Sequence, residues 1–147
     1  KSLELRYIQP REIIRAHLKK RDEVANGFPP EKLWKKMVPT VKVADEIRHR
    51  LGKRMLCVYS AYRSPEYNAK CPGAASRSYH MKNCALDLRY DCAPAKVAEV
   101  AKKLRDEKFF KGGIGIYKGF VHIDTRGYNA TWDQVSPPAA ESKKAAA

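Results

Sequence analysis

The sequence predicts an α+β domain in which N-terminal helices pack on a small antiparallel sheet. Three observations support this fold class. Apolar residues recur at helical spacing over most of residues 10–51. Residues 85–91 instead alternate between two sets of side chains, which is typical of a strand. Two short apolar runs then flank Lys118-Gly119, which favours a tight hairpin turn.

Prolines and glycines mark the ends of the predicted helices. Pro10 suits the first position of a helix, which is predicted to end before residues 26–30. A second helix is predicted from about Glu31 to Gly52, with a disturbance at Pro39.

The second half of the chain is predicted to hold four strands and a third helix. A loop rich in Ser, Pro, Gly and Asn follows the first strand and extends to about Asn83. The third helix is predicted to open at Pro94 and to end before residues 112–113. The predicted strands are 55–59, 85–91, 114–117 and 120–125.

Size and charge limit the possible function classes. The 147 residues suffice for one modest core, and we predict one domain over 1–136 and a flexible tail over 137–147. No run of 18 apolar residues occurs, so no membrane span is expected. A net charge of +14 favours an anionic partner: nucleic acid, anionic lipid or an acidic cell-wall polymer. Nucleic acid is disfavoured because no binding motif is present, and we expect a monomer.

The cysteines indicate a compartment. Their number is even and the chain is short, which favours two disulfides in a secreted or periplasmic protein. Four free thiols in a cytosolic protein are the alternative. No Cys-x-x-Cys spacing occurs, which argues against a zinc ribbon. The cysteines are Cys57, Cys71, Cys84 and Cys92.

Two histidines stand beside carboxylates in or near predicted strands. Because side chains alternate along a strand, His122 and Asp124 share one face. If that strand pairs with residues 85–91, Asp87 can lie about 5 Å from His122, and His80 can reach both from the loop. Two imidazoles and one carboxylate are the usual set for a catalytic zinc ion that activates water. His80, Asp87 and His122 are therefore candidate zinc ligands.

Three ordered motifs surround these residues, and their joint occurrence is specific. They read Tyr62-Arg63-Ser64-Pro65, then Ser78-x-His80 with Ala85-x-Asp87, and finally Gly119-Phe120-Val121-His122-Ile123-Asp124. Together they resemble the zinc D-alanyl-D-alanine carboxypeptidase family of bacterial cell-wall peptidases, whose fold is shared by the hedgehog signalling domain. The resemblance covers roughly residues 55–126. It implies that fold and a zinc peptidase that hydrolyses peptidoglycan stem peptides, as a carboxypeptidase or an endopeptidase.

The resemblance also implies a role for each matching residue. His80, Asp87 and His122 would bind Zn²⁺. Arg63 would hold the substrate carbonyl or carboxylate, for which the paired donors of a guanidinium are suited. Ser78 would bind substrate or brace the site. The alternatives are that Arg63 only ties the loop to a carboxylate and that Ser78 only caps the loop.

Two departures from the family pattern bear on activity. Asn83 stands where the family usually has Gly, and Asn tolerates left-handed backbone geometry. Gly119 stands where many relatives carry the Glu or Asp that acts as general base. Asp124 is then a candidate for that base, or it orients His122. The missing acid leaves open a non-catalytic, zinc-stabilised module that binds cell wall or a protein partner.

Within this resemblance the favoured disulfide pairs are Cys71–Cys84 and Cys57–Cys92, and the other two connectivities of the four cysteines stay open. The first would staple the segment that carries His80. Zinc ligation by the Cys84 thiolate is the competing interpretation.

Overall fold

A computed structural model describes residues 5–135, and the predicted tail at 137–147 lies outside the described residues. Two 3₁₀ turns, Glu31–Lys36 and Tyr79–Lys82, precede the second helix and the fourth strand. The four helices are α1 (Pro10–His17), α2 (Met37–Leu51), α3 (Pro65–Lys70) and α4 (Pro94–Asp106). The strands are β1 (Lys20–Arg21), β2 (Val24–Ala25), β3 (Met55–Ser60), β4 (Ala85–Tyr90), β5 (Gly113–Ile116), β6 (Val121–Asp124) and β7 (Ala130–Asp133). Within residues 5–135, no helix is both long and apolar enough to cross a bilayer.

The main sheet has five strands in the order β3-β4-β6-β5-β7, and β1 pairs with β2 in a separate hairpin. The α+β class is confirmed, but the expectation of a wholly antiparallel sheet is wrong at one edge, where β7 runs parallel to β5. Strand β7 adds at the free edge of β5 and runs opposite to β6, which is antiparallel to β5.

The core lies between the sheet and its helices. Helices α2 and α4 pack on each other and on the sheet, and α1 packs against β3. Strands β4 and β6 contribute Leu86, Leu88, Val121 and Ile123 to this core, each at most 1% exposed. Because successive side chains alternate, the residues between these apolar ones project from the opposite face of the sheet. That face holds the candidate site.

The N-terminal segment is tied to α2 by a buried carboxylate. Asp45 is 5% exposed, and its oxygens accept hydrogen bonds from the backbone N–H groups of Arg6, Tyr7 and Ile8 at 2.9–3.1 Å. These charge-assisted bonds fix the start of α1 against the body of the domain. The fixed helix carries the β1–β2 hairpin that follows it.

Several boundaries differ from those predicted. Pro39 does not disturb α2, because it is the third residue of that helix and first-turn N–H groups have no intrahelical partner. The β1–β2 hairpin falls within the predicted first helix, α3 falls in a predicted loop, and β7 falls where no element is predicted.

The predicted disulfides are wrong, because all four cysteines are free. Cys57 lies in β3 opposite Arg89 of β4, whereas Cys92 follows three residues after Arg89, beyond the end of β4. The two cysteines are therefore not cross-strand partners. Cys71 and Cys84 line two different cavities and are not bonded to each other.

Candidate active site

Three buried side chains converge on the sheet face opposite the core. Asp87 of β4 and His122 of β6 are direct partners in the strand register, as the alternation predicted. His80 joins them from the 3₁₀ turn before β4. One nitrogen or oxygen atom of each residue lies within 4.8 Å of those of the other two, and none of the three is more than 4% exposed.

Asp87 is the centre of the cluster. Its Oδ1 atom lies 2.9 Å from His122 Nδ1 and 3.2 Å from His80 Nε2. Its Oδ2 atom accepts a hydrogen bond from Arg63 Nη2 at 3.3 Å. One carboxylate oxygen thus faces both imidazoles, while the other is held by a guanidinium.

His80 is oriented by a backbone carbonyl. Its Nδ1 atom lies 2.7 Å from Ala61 O, and because a carbonyl only accepts, Nδ1 carries the proton and donates it. The Nε2 atom then presents a lone pair toward Asp87. It is buried and makes no hydrogen bond with any described residue. A buried acceptor of this kind requires a partner such as a cation.

His122 is oriented by a carboxylate on its far side. Its Nε2 atom lies 2.7 Å from Asp124 Oδ2 and its Nδ1 atom 2.9 Å from Asp87 Oδ1, so the ring is held between two carboxylates. Asp124 is fully buried and is also bonded by Gly113 N at 2.8 Å and by Arg126 Nη2 at 2.6 Å. A Cβ on Gly113 would lie 2.5 Å from Asp124 Oδ2, so only glycine allows this approach.

Burial and mutual contact shift the pKa values of all three residues of the cluster. Burial raises the pKa of Asp87, but His80 and His122 lower it more, and the net pKa is well below its usual range. Burial lowers the pKa of His80 more than Asp87 raises it. For His122 burial also lowers the pKa, but the hydrogen bonds with Asp124 and Asp87 outweigh it, so the net pKa is raised.

The chemistry of these donors fits a zinc ion. Each imidazole uses one nitrogen to bond a fixed acceptor, Ala61 O or Asp124, and turns the other nitrogen to a shared point beside Asp87. This pattern, in which an outer acceptor fixes the tautomer, is common at metal-binding histidines. Two nitrogens and a carboxylate oxygen leave a fourth tetrahedral position for water or substrate.

A cavity of about 460 Å³ opens beside this cluster, and both Asp87 and Arg63 line it. The Arg63 side chain is only 11% exposed. Its Nε donates to Ser60 Oγ at 2.8 Å and its Nη1 to Asn68 Oδ1 at 3.3 Å. The guanidinium is therefore held rigidly at the border between the candidate metal site and the open cleft.

Comparison with known proteins agrees with this geometry. The sequence model of the family described as Peptidase M15 matches residues 6–124. The chain belongs to the peptidase M15 family. It is also 39% identical over 85 residues to the probable peptidoglycan L,D-endopeptidase MepK of Haemophilus influenzae, a match that covers 53% of this chain and 42% of that protein. No solved structure matches significantly. The predicted family is confirmed.

Two residues of the M15 motif brace the loop that carries His80. Ser78 is fully buried, and its Oγ accepts a hydrogen bond from the His80 backbone N–H at 3.2 Å, so it does not border the cleft. Asn83 has the left-handed conformation, with φ 57°, which agrees with its expected tolerance of the turn. Its side chain also donates to Leu33 O at 2.9 Å.

The geometry argues against two roles that the sequence left open, Asp124 as general base and Cys84 as zinc ligand. Both oxygens of Asp124 are engaged behind His122, which is the arrangement of an orienting partner and leaves no path to the cleft. Cys84 lies outside the cluster, and burial raises the pKa of its thiol to about 11. A thiolate ligand at Cys84 is therefore disfavoured.

Sequence reasoning missed the residues that support His122. The Trp132 ring lies 5.2 Å from the His122 ring, and its Nε1 donates to Tyr117 OH at 2.8 Å. A Cβ on Gly115 would come within 2.4 Å of Trp132, so glycine makes room for the indole. The Gly-Ile-Gly run of β5 was the available signal, since glycine inside a strand often marks a close approach.

Proposed function

We propose that this chain is a zinc-dependent peptidase that hydrolyses stem peptides of peptidoglycan. The observation that carries the proposal is the convergence of His80, Asp87 and His122 beside a cleft bordered by Arg63. Membership of the M15 family supports peptide hydrolysis, and the similarity to a probable peptidoglycan endopeptidase supports the substrate class. That similarity spans less than half of the relative's length, so the bond that is cut is left to experiment.

In this proposal each residue of the site has a distinct role. His80, Asp87 and His122 would hold the zinc ion, which when bound polarises a peptide carbonyl and makes water more acidic. Arg63 would donate to the carbonyl oxygen as negative charge develops there. Asp124 would fix the ring of His122 through its 2.7 Å hydrogen bond.

The charge of the chain agrees with an anionic substrate. A net charge of +14 would hold the protein on acidic wall polymer through an attraction that weakens as salt increases. We therefore place its activity outside the cytoplasm, where that polymer is found.

Purified protein is expected to cut muropeptides, and a chelator is expected to stop the cut. The products are weighed by mass spectrometry, which also identifies the bond. Added Zn²⁺ restores activity if the metal is the cofactor, whereas cleavage that is unaffected by exhaustive chelation contradicts a metal-dependent reaction.

A second candidate function is a metal-stabilised module that binds cell wall without cutting it. One observation favours it. Among the described residues that line the cleft, Asp87 is the only carboxylate, and it is a candidate metal ligand. A peptidase needs a group that takes a proton from water and returns it to the leaving amine. The family position for that group is Gly119, which also lines the cleft.

Gly119→Glu tests whether position 119 is where the general base is missing. A Cβ at residue 119 would meet no atom within 4 Å, and its φ lies outside the left-handed region, so a side chain fits without strain. We expect kcat on muropeptides to rise at least about tenfold, since general acid–base catalysis contributes ~10²–10⁴-fold. Gly119→Gln is the matched control, because it has the same size but cannot transfer the proton. Equal rates for the Glu and Gln variants would contradict the role of position 119.

A further inference from the structure

The cleft carries more positive charge than the candidate reaction needs. Within residues 5–135, three cationic side chains line it, Lys19, Arg21 and Arg63, against the single carboxylate of Asp87. Arg63 already donates to Asp87. Lys19 and Arg21 make no salt bridge within 4 Å to any carboxylate of residues 5–135. Two cations are thus left in a cavity of about 460 Å³ without an anionic partner among the described residues.

Strand alternation explains why these two residues enter the cleft together. Arg21 lies in β1, and Lys19 directly precedes that strand and continues the hairpin pairing, since its carbonyl accepts from Asn26 N at 2.8 Å. Residues 19 and 21 therefore project to one side and Lys20 to the other. Lys20 Nζ instead pairs with Glu23 Oε2 at 3.0 Å, and its side chain is 56% exposed. Lys20 is therefore an internal control for Lys19.

The hairpin that presents these cations is held in an unfavourable backbone conformation. Asp22 and Glu23 form its turn with φ values of 45° and 68°, in the left-handed region that usually requires glycine or asparagine. Such strain persists only when surrounding contacts fix the segment. The fixing contacts include the packing of β1 and β2 against α3.

Asn26 fixes the hairpin relative to Arg63. Its Nδ2 atom donates to Tyr62 O at 2.8 Å, and its Oδ1 atom accepts from Ser64 N at 3.0 Å. Tyr62 and Ser64 are the chain neighbours of Arg63. Direct hydrogen bonds therefore hold the end of the hairpin against the backbone on both sides of Arg63.

The Lys19 ammonium group is partly buried and has hydrogen-bond donors available for an anion. Its side chain is half-buried, and Nζ donates to Tyr59 O, which uses one of its three hydrogens. Burial lowers the pKa of Lys19. An anionic group that entered the cleft would find two unused donors on a partly desolvated charge, a setting in which charge-assisted hydrogen bonds are strong.

We propose that Lys19 and Arg21 form a subsite for a carboxylate of the substrate, separate from the bond that is cut. This inference rests on the proposed peptidase function and narrows its substrate to an acidic peptide. Arg63 would receive the oxygen at the scissile bond, while the hairpin cations would receive a second, distant carboxylate. That carboxylate is either the C-terminus of the peptide or an acidic group within it.

The test measures peptide binding to the full chain by calorimetry, with chelator present so that peptide is not consumed. Three forms of one stem peptide are compared: the free acid, a form amidated at its internal carboxylates and a form amidated at its C-terminus. We expect the free acid to bind about tenfold more tightly than one of the amidated forms, and that form identifies the recognised carboxylate.

Variants of Lys19 and Lys20 test whether Lys19 causes this binding preference. Lys19→Gln is expected to remove the preference, Lys19→Glu to reverse it, and Lys20→Gln to keep it at the wild-type level. Equal binding of all three peptides by the wild type, no binding of the free acid, or equal losses for Lys19→Gln and Lys20→Gln would overturn the subsite.

Mass spectrometry of the same peptides with Zn²⁺ separates the two proposals. If the acidic peptide is bound with the expected preference but is not cut, the subsite stands and the peptidase function fails. If the peptides are cut at equal rates without any binding preference, the peptidase function stands and the subsite fails.

Discussion

Replacement of His122 by alanine is expected to remove bound zinc and peptidase activity together. The variant loses one of the three candidate ligands, and it also leaves Asp87 and Asp124 without their shared partner. Removal of one partner from a buried charged network costs about 3 kcal/mol of folding stability or more. The expected readouts are zinc content by elemental analysis, a lower thermal unfolding midpoint and no muropeptide cleavage.

Asp124→Asn is the matched comparison for this variant. Asparagine keeps the size of the side chain and an oxygen that can accept from His122 Nε2, but it lacks the negative charge that steadies the ring. Loss of an outer hydrogen-bond partner typically lowers metal affinity ~10–100-fold, which is less than the loss of a ligand. Zinc content should therefore be partly retained in Asp124→Asn. Full zinc occupancy in His122→Ala would contradict the ligand proposal.

The core of the candidate site could be predicted because it depends on strand parity. Alternation alone places Asp87 and His122 on one face, opposite Leu86, Leu88 and Ile123, and the observed register makes them direct neighbours. The parity of Asp124 was also predictable. Its engagement with Arg126 and Gly113 was not, because those contacts depend on how β5 and the segment after β6 approach each other.

The missed elements lacked a local signal. The β1–β2 turn uses Asp22-Glu23 in place of the Asn-Gly or Asp-Gly that normally announces a hairpin. β7 is four residues long and pairs at a sheet edge, so its partner is set by the space left beside β5. The disulfide prediction was wrong for a related reason. An even cysteine count says nothing about distance, and the register of β3 with β4 separates Cys57 from Cys92.

Arg63→Ala is expected to abolish most activity while zinc remains bound, which separates this residue from the ligands. The guanidinium borders the cleft and is fixed by Ser60 and Asn68, so it can donate to a substrate oxygen without prior rearrangement. Donors arranged in this way stabilise the charge of the transition state, and loss of one typically lowers kcat ~10²–10³-fold. Arg63→Lys keeps the charge but not the planar pair of donors, so it should recover only part of that loss.

The control for Arg63 is Arg89→Ala. Arg89 lies on the same strand face as Asp87 but is exposed, and it donates to Tyr59 OH at 3.3 Å. Both variants remove one positive charge from this side of the sheet, so a general electrostatic effect on an anionic substrate would lower activity in both. Kinetics on muropeptides and zinc content are measured in parallel. A loss of kcat that is confined to Arg63→Ala, at unchanged zinc content, supports a direct contact with the reacting carbonyl, and equal losses in both variants contradict it.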